Sequence, residues 1–507
     1  MSEFKSDSSV KRVVKNGFFS GFRFFIYALS SFFFIPFLIR QYGEESYGLI
    51  ALAGFLTQYV GFLSGCIASS VSRFLNMALN ESDWKKANEI FATAFYSNIG
   101  LALLQIPLFA FGLFKLHWLI EFPPALETDF RILVICNILI YVNAVVFGAI
   151  STPMYAANRM DLTVKIGVIG EVIRLVVLVG LILSVGAKLW IIGVVDLSMA
   201  LIGTGITFII NRNLAKKLVI RWRNIAWKWA IPIMQMASWS ILAELGQILF
   251  QRTDVWILNR FVDAHLAGVC ASLLIWPNFA LQMVKMLTSI IAPVIMIDYA
   301  HNRIERISQI ILFLSRIFAV FAVFFCAGIM IFGEWVLGVW VGPEFRQYHF
   351  FMILMIIHFP LTLVREATWM IFPAFNKMQY LGISNILSGC LNIGLSLYAA
   401  FNGYGFAGVI VATAISLIVQ RTILLSYFTV KLLKLHWVLL YKCYIPGICI
   451  ILFFGVQALW FDNAYIIHSG IFSIVIGIVF SWELFIRDKQ SRETALSILS
   501  GVLRKEG

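Results

Sequence analysis

The feature that most constrains this chain is a series of continuous apolar runs, each about 20 residues long, which recur from Phe18 to Phe485. A run of this length crosses the ~30 Å hydrocarbon core of a bilayer as a single α-helix. The runs do not alternate with a period of two, which excludes a transmembrane β-barrel. The composition agrees, because 61% of the residues are hydrophobic and 13% are charged, against ~25% charged residues in ordinary soluble domains. We therefore predict an all-α polytopic membrane protein.

About 14 transmembrane helices are expected from these runs, with both chain ends on the same side of the membrane. The eighth span is overlong and contains Pro277 and Pro293, so we expect it to be kinked or tilted. The predicted spans are 18–39, 47–70, 90–114, 131–155, 167–185, 189–210, 230–250, 264–297, 309–332, 350–373, 381–400, 405–428, 442–460 and 466–485.

The distribution of positive charge sets the predicted orientation. The net charge is +13, which could suggest nucleic acid as a partner, but the excess lies in loops on one side of the membrane. With the N-terminus in the cytoplasm, 26 Lys and Arg residues lie on the cytoplasmic side and seven on the outer side. Loops rich in Lys and Arg stay in the cytoplasm. We predict cytoplasmic N- and C-termini, no removable signal peptide and no nucleic-acid partner.

Two halves of the chain carry similar segments. Residues 157–161 read ANRMD and residues 375–379 read FNKMQ, 218 positions later, which corresponds to six helices. This spacing predicts two six-helix lobes with a pseudo-twofold axis along the membrane normal. The predicted domains are the cytoplasmic N-terminus 1–17, the N-lobe 18–210, the basic cytoplasmic linker 211–229, the C-lobe 230–428, two C-terminal helices at 442–485 and the cytoplasmic tail 486–507.

A stripe of polar residues crosses the predicted seventh span. Its members follow one another at steps of four, three, four and three, so a helix places all of them on one face. An ionisable residue inside a membrane span usually marks a substrate or ion pathway, although a polar seam between packed helices is the alternative. The stripe consists of Ser240, Glu244, Gln247, Gln251 and Asp254.

Similar stripes occur in five other spans. Four of the six striped spans, the first, seventh, eighth and tenth, carry an ionisable residue on the polar face. The stripes are Ser20, Arg23, Tyr27 and Ser30; Asn278, Gln282, Lys285 and Ser289; His358, Thr362, Arg365 and Trp369; Asn385, Ser388 and Asn392; and Thr413, Ser416 and Gln420.

The charges of these stripes indicate an anionic substrate. Arg23, Lys285 and Arg365 outnumber Glu244, and a planar guanidinium is well suited to phosphate. The predicted pathway therefore uses the three cations for phosphate, with the polar side chains of Gln247, Gln251, Asn278 and Gln282 beside them as hydrogen-bonding groups. Buried Glu244 would be a carboxylate that couples transport to a proton or cation.

Other charged residues are predicted to be structural. Glu171 and Arg174 are three residues apart and can neutralise each other. Arg316 and Arg421 lie near span ends or lack a polar stripe, which favours pairing or snorkelling. A salt bridge between Arg252 and Asp254 at the outer mouth is a further hypothesis.

The chain shows no sign of enzymatic chemistry. It contains no glycine-rich phosphate-binding loop followed by Lys and Ser or Thr. The seven histidines and seven cysteines lack metal-ligand spacing. We predict no enzyme activity, no cofactor and no metal site.

Several motifs resemble one known family. They are PFLIRQYGEESYGL at 36–49, SRF at 72–74, DVWIL at 254–258 and LGVWVGPEF at 337–345. In these motifs the chain resembles the Wzx-type oligosaccharide flippases of the multidrug/oligosaccharidyl-lipid/polysaccharide exporter superfamily. The likeness extends over almost the whole chain. Members often have twelve spans, so the predicted fourteen depart from that pattern.

The resemblance implies alternating access between two lobes around a central cavity. It also implies export of an undecaprenyl-pyrophosphate-linked oligosaccharide across the bacterial inner membrane for O-antigen, capsule or exopolysaccharide. The implied partners are this lipid-linked substrate, membrane lipids, and the polymerase and chain-length regulator of the same pathway. A lipid II flippase and a multidrug or cation antiporter of the superfamily are the alternatives. From another class, a polysaccharide polymerase or ligase normally needs a larger outer loop.

Overall fold

The computed structural model describes most of the chain, and its secondary structure is helical throughout the described part. The described residues are 32–54, 83–151, 160–214, 217–251, 253–460 and 465–488, with single positions at 26, 30, 57, 71, 74, 75, 78, 79, 81, 154 and 491.

Long helices cover the predicted spans. Their bounds are as follows: α1, 32–42; α2, Glu44–Ala53; α3, Trp84–Phe114; α4, Glu127–Phe147; α5, Met160–Val185; α6, Leu189–Leu214; α7, Ala230–Gln251; α8, Thr253–Phe261; α9, Ala264–Leu273; α10, Ile275–Ala300; α11, Ile304–Trp340; α12, His349–Ile356; α13, Met378–Phe401; α14, Gly405–Ile418; α15, Leu425–Leu433; α16, Ile445–Trp460; α17, Tyr465–Trp482.

Eleven helical segments within the described residues are long and apolar enough to cross a membrane. They coincide with eleven of the fourteen predicted spans. The predicted spans 18–39 and 47–70 lie largely outside the described residues. The predicted span 230–250 is present as α7. The prediction of an all-helical, multi-pass membrane protein is confirmed.

The overlong eighth span is divided into α9 and α10 by a turn at Leu274. The break lies three residues before Pro277, whose ring nitrogen cannot donate the hydrogen bond that a continuous helix would send to Leu273. The predicted irregularity in this span is therefore confirmed, and its position follows from the first of the two prolines.

The tenth span is not the continuous helix that its polar stripe predicted. Beyond α12 the chain forms the short helix Phe359–Thr362, the 3-10 turn Leu363–Thr368 and the short helix Ile371–Ala374. Pro360 lies in the first turn of the first piece, and a proline disfavours helical geometry in the residue before it. We call residues 359–374 the broken segment.

The twelfth span contains a different irregularity. Between α14 and α15 the chain passes through the π-helical turn Val419–Leu424. A π-turn admits an extra residue and disturbs the regular backbone ladder. Here the carbonyl oxygen of Arg421 accepts hydrogen bonds from the Ser426 hydroxyl at 3.0 Å and the Tyr444 hydroxyl at 3.4 Å.

The described residues divide into two compact units. Unit 1 contains those within Phe18–Ile248 and Leu258–Ala271, and unit 2 contains those within Leu249–Ile257 and Ser272–Gly507. Most of α7 thus belongs to unit 1, where Ile241 packs against a buried apolar cluster that includes Leu75 and Ile90.

In unit 1 the basic linker lies along the start of α3. The Asn88 side chain accepts a hydrogen bond from the Val219 amide at 2.7 Å and donates one to the Lys217 carbonyl at 3.1 Å. Glu89 forms an ion pair with Lys228 at 2.7 Å and accepts a hydrogen bond from the Trp229 indole at 3.2 Å. These contacts attach residues 217–229 to the helix. The indoles of Trp222 and Trp227 remain exposed, as suits side chains at a membrane interface.

In unit 2 small residues permit close packing of the last helix. A Cβ atom on Gly470 would lie 2.6 Å from the Ile331 side chain, and one on Gly477 would lie 2.8 Å from the Phe324 ring. Both partners belong to α11. Small residues at such contacts let helices approach closely within a bilayer. The predicted fourteenth span therefore packs directly on the longest helix of the unit.

A close backbone contact between α2 and α9 is central to unit 1. A Cβ atom on Gly48 would lie 2.9 Å from the Gly268 Cα atom, and one on Gly268 would lie 2.1 Å from the Glu44 carbonyl oxygen. Polar contacts surround this crossing, since His265 pairs with Glu44. The motif at 36–49 thus includes a glycine whose missing side chain is required for packing.

We predict that Gly268→Ala destabilises the protein by about 1–3 kcal/mol, because the added methyl group would overlap a backbone oxygen. Gly180→Ala is the matched control, since Gly180 lies inside α5 with nothing within 4 Å of its Cβ position. Alanine at that helical position is expected to be neutral or stabilising. Thermal unfolding in mild detergent measures both changes. Equal stability of the two variants would refute the packing argument.

Candidate functional site

The polar face of α7 is only partly described. Glu244 is exposed and Gln247 is half-buried. Glu244 makes no ion pair with any described residue. The side chains of Ser240 and Gln251 lie outside the described part of the structure. The prediction that Glu244 is buried is therefore wrong, because its side chain is exposed.

The polar face of α10 is also uncovered. Asn278 and Gln282 are exposed, and Lys285 is half-buried. All three lie within the candidate span Ala264–Thr288. Lys285 has no acidic partner among the described side chains. Two amides and an ammonium group in a membrane span are costly in hydrocarbon, so this face should contact water or a polar ligand.

Asp254 has a different environment, because it is buried inside unit 2 at the start of α8. Its carboxylate accepts a hydrogen bond from the Thr413 hydroxyl at 2.6 Å and one from the Asn392 amide at 3.2 Å. The Thr413 hydroxyl also lies 2.9 Å from the Asn392 side-chain oxygen. Within the described residues, Asp254 has no cationic side chain as a partner.

The arrangement around Asp254 brings four oxygen atoms together. Two belong to the carboxylate, one to the Asn392 amide and one to the Thr413 hydroxyl. A buried carboxylate without a counter-ion is unfavourable as an anion. It can bind a proton, or it can hold a small hard cation, which prefers oxygen ligands of this kind.

The predicted stripes of the eleventh and twelfth spans face each other across this site. Asn392 and Thr413 meet at Asp254, and the Gln420 amide donates to the Asn385 side-chain oxygen at 2.7 Å. Ser388 and Ser416 are buried in the same region. Sequence periodicity identified both stripes and Asp254, but nothing in the sequence showed that the three belong to one cluster.

We predict an interaction free energy of about 1–3 kcal/mol between Asp254 and Thr413, because substituting either residue removes the hydrogen-bond partner of a buried polar group. A double-mutant cycle with Asp254→Asn and Thr413→Val, followed by denaturation in SDS, measures it. The control cycle replaces Thr413→Val with Thr422→Val, because the Thr422 hydroxyl donates only to the Ile418 carbonyl one turn earlier. If the changes in unfolding free energy were additive in both cycles, Asp254 and Thr413 would not interact and the proposed cluster would be wrong.

The charged residues of the broken segment do not pair with each other. Glu366 forms a buried ion pair with Arg421, and Arg421 also donates to the Thr362 carbonyl at 3.2 Å. Arg365 is 1% exposed, and its guanidinium lies over the Tyr444 ring, with 5.5 Å between Cζ and the ring centroid. All three of its side-chain nitrogens lack a hydrogen-bond partner among the described residues.

The structural roles predicted for several charges are confirmed. Arg421 pairs with Glu366, and Arg316 pairs with Asp488 and donates to Ser491. Although burial acts to raise the pKa of Asp488, the hydrogen bonds from Ser491 and Arg316 hold that pKa below its ordinary value.

In unit 1, Arg174 contacts Glu171 at 3.3 Å, as predicted. It also makes a bidentate contact with Asp196, at 2.5 Å and 3.2 Å. The Arg174 guanidinium thus pairs with two carboxylates within apolar helices, and the second one, Asp196, belongs to α6. The spacing in α5 revealed only the first partner.

Other predicted site residues cannot be placed. Arg23, Tyr27 and Arg252 lie outside the described residues, and so does the side chain of Gln251. The gate proposed between Arg252 and Asp254 therefore stays a prediction. Among the described side chains, no three His, Cys, Asp or Glu residues come together as metal ligands.

Comparisons with known proteins identify the fold. An inward-facing multidrug resistance MATE family transporter of the MOP superfamily is 15% identical, with a TM-score of 0.66, covering 81% of this chain and 95% of that one. The lipid II flippase MurJ in an inward closed conformation is 12% identical, also with a TM-score of 0.66, covering 93% of this chain and 99% of that one.

Two further similarities extend the comparison. A MOP superfamily transporter from Pyrococcus furiosus, described as having a binding pocket of reverse polarity, is 16% identical, with a TM-score of 0.59 over 84% of this chain and 97% of that one. The uncharacterized membrane protein EpsK of Bacillus subtilis (strain 168) is 21% identical over 401 residues, covering 79% of each chain. No protein-family model matches the chain. The multi-pass helical fold is therefore that of the MOP-superfamily transporters.

Proposed function

We propose that this protein is a flippase that moves an undecaprenyl-pyrophosphate-linked oligosaccharide from the inner to the outer leaflet of the bacterial inner membrane. The lipid tail stays in the bilayer while the charged, hydroxyl-rich head crosses through water. The product would enter the synthesis of a cell-surface polysaccharide such as O-antigen, capsule or exopolysaccharide. The cytoplasmic orientation of both chain ends is part of the proposal.

The observation that carries this proposal is the uncovered polar face of α10. Lys285 supplies a positive charge within a membrane span without an acidic partner among the described residues, and Asn278 and Gln282 are exposed beside it. A cation next to amides fits a phosphate attached to sugars, because the ammonium attracts the phosphate and amides both donate to and accept from hydroxyls. An antiporter for cationic drugs would favour an excess of acids.

The remaining pathway residues complete the proposed contact surface. Arg23 would add a second cation for the pyrophosphate, with Tyr27 beside it to stack on a sugar ring. Gln247 and Gln251 on α7 would contact sugar hydroxyls. Arg365 is fully buried in unit 2 and is not part of this contact surface. The proposed protein partners are the polymerase that uses the exported unit and the chain-length regulator of the same pathway.

Complementation of a bacterium that lacks its own flippase tests the proposal. Wild-type protein is expected to restore surface polymer. Lys285→Glu is expected to reduce surface polymer at least tenfold and to trap lipid-linked units in the cytoplasmic leaflet, because it places an anion next to phosphate. Surface polymer and lipid-linked intermediates are measured together with expression level.

Two variants serve as controls for this experiment. Lys285→Arg keeps the positive charge and should retain export. Arg303→Glu reverses a surface charge in unit 2, where Arg303 contacts Asp298 at 3.5 Å. This variant should also retain export. Normal export by Lys285→Glu would remove this residue from the pathway. Rescue of lipid II transport alone, or of drug resistance alone, would favour the corresponding alternative.

Asp254 is the proposed coupling residue, with Glu244 as the second carboxylate of the same mechanism. The Asp254 carboxylate is buried, and its donors among the described residues are neutral, so binding a proton or a small cation would stabilise it. Binding would change the hydrogen bonds to Asn392 and Thr413 and hence the fit of α8 against α13 and α14. This link between ion occupancy and helix packing is what coupled transport requires.

We expect Asp254→Asn to abolish the dependence of flipping on an imposed proton or sodium gradient while the protein stays folded. Appearance of substrate head groups in the outer leaflet of proteoliposomes, with each gradient applied alone, measures this dependence and shows which ion is used. Glu244→Gln is measured in parallel. A variant that keeps full transport and an unchanged ion dependence excludes its residue from coupling.

A further inference from the structure

The Arg365 guanidinium is the least satisfied charged group in the described part of unit 2. It is 1% exposed, and none of its three nitrogens hydrogen-bonds to a described residue. The backbone carbonyl of Arg365 accepts a hydrogen bond from the Thr368 hydroxyl at 2.8 Å. A buried, unpaired charge is strongly destabilising unless an opposite charge or hydrogen-bond acceptors compensate it.

The nearby acids are already committed to other partners. Glu366 follows Arg365 in the sequence but pairs with Arg421. Asp488 pairs with Arg316. Of the three arginines in this group, Arg421 and Arg316 are neutralised by the two acids. The third, Arg365, keeps an unpaired positive charge. Arg421 also has an unpartnered Nε atom, so a second guanidinium could contribute a donor.

The Tyr444 ring provides the only described compensation for Arg365. A cation–π contact stabilises a desolvated charge, but it satisfies none of the five N–H donors of a guanidinium. Tyr444 is fixed in turn, because its hydroxyl lies 3.0 Å from the Ser426 hydroxyl. The ring thus covers one face of Arg365 and leaves the donors at the guanidinium edge for another acceptor.

The position of Tyr444 indicates where that acceptor comes from. Tyr444 ends the turn Lys442–Tyr444 just before α16, in the first half of the span Trp437–Gln457. Three exposed lysines lie before this span or in its first turns, at Lys431, Lys434 and Lys442. Clusters of Lys at a membrane surface attract anionic lipid headgroups.

We propose that Arg365 and Tyr444 form a binding site for a phosphate-type oxyanion, supplied by the headgroup of an anionic lipid at this end of unit 2. The planar guanidinium donates two parallel hydrogen bonds to the phosphate oxygens. The Tyr444 ring stays over one face of the guanidinium, the headgroup binds at the free edge, and the exposed lysines attract it to this end of the unit. This site is independent of the pathway on α7 and α10, and it does not rest on the proposed transport function.

Delipidated protein in mild detergent is used for the test, with thermal unfolding as the measurement. Phosphatidylglycerol, phosphatidylcholine and inorganic phosphate are added separately. A ligand that binds only the folded state raises the melting temperature, by a few degrees at ~100-fold excess over Kd. We expect phosphatidylglycerol to stabilise wild type and phosphatidylcholine to have little effect. Stabilisation by inorganic phosphate at millimolar concentration would assign the site to the free anion instead of the lipid.

Arg365→Gln is the decisive variant, and Arg303→Gln is its matched control, because it removes a partly exposed arginine from the same unit. The phosphatidylglycerol shift should disappear in Arg365→Gln and persist in Arg303→Gln. Native mass spectrometry should show at least a tenfold loss of retained phosphatidylglycerol in Arg365→Gln alone. An equal shift in wild type and Arg365→Gln overturns the proposal.

A second pair of variants covers the case in which Arg365→Gln does not fold. Arg365→Lys keeps the charge without the bidentate geometry, so it should show a reduced but measurable shift. Arg365→Met removes the charge and fills similar volume. If no anion binds, Arg365→Met should melt at a higher temperature than wild type with or without phosphatidylglycerol, and that result also overturns the proposal.

Discussion

The free-energy cost of an uncompensated charge in a low-dielectric interior governs the arrangement of this protein. Several charged side chains in the described spans meet that constraint by pairing. Arg174 forms ion pairs with two carboxylates, Arg421 with Glu366, and Arg316 with Asp488. The pairs of Arg174 with Asp196, Arg421 with Glu366 and Arg316 with Asp488 join different elements of a unit, so charge compensation also fixes which elements pack together. Glu244, Lys285, Asp254 and Arg365 make no ion pair with a described residue, and a role in binding or coupling is proposed for each.

These exceptions fall into two physical classes. Glu244 is exposed and Lys285 is half-buried, so water or a substrate can reach both of them. Asp254 and Arg365 are buried, so their compensation has to come from a specific bound species. A carboxylate surrounded by oxygen ligands selects protons or small cations, whereas a guanidinium selects oxyanions. Unit 2 thus contains two buried sites of opposite sign on different helices.

The sequence was a reliable guide to the helices and a partial guide to the site. Eleven predicted spans coincide with helical segments, because a run of about twenty apolar residues has few alternatives to an α-helix in a membrane. The pairing of Glu171 with Arg174 followed from their spacing on one helix. The partners Asp196 and Asn392 could not be inferred, because periodicity shows which face a residue occupies but not which helix lies opposite. The tenth span was predicted as one helix because its polar stripe masked the effect of Pro360.

The hydroxyl of Tyr444 has a consequence for the last two helices. It donates to the Arg421 carbonyl at the π-turn, where the regular backbone ladder is interrupted, and its ring covers Arg365. A chain shortened after α15 would lose one of the two donors to that carbonyl and would uncover the face of the Arg365 guanidinium that the ring now covers. Helices α16 and α17 are therefore an integral part of unit 2 and not a removable appendage. Evolutionary loss of this helical pair from such a chain would require compensating changes at positions 365 and 421.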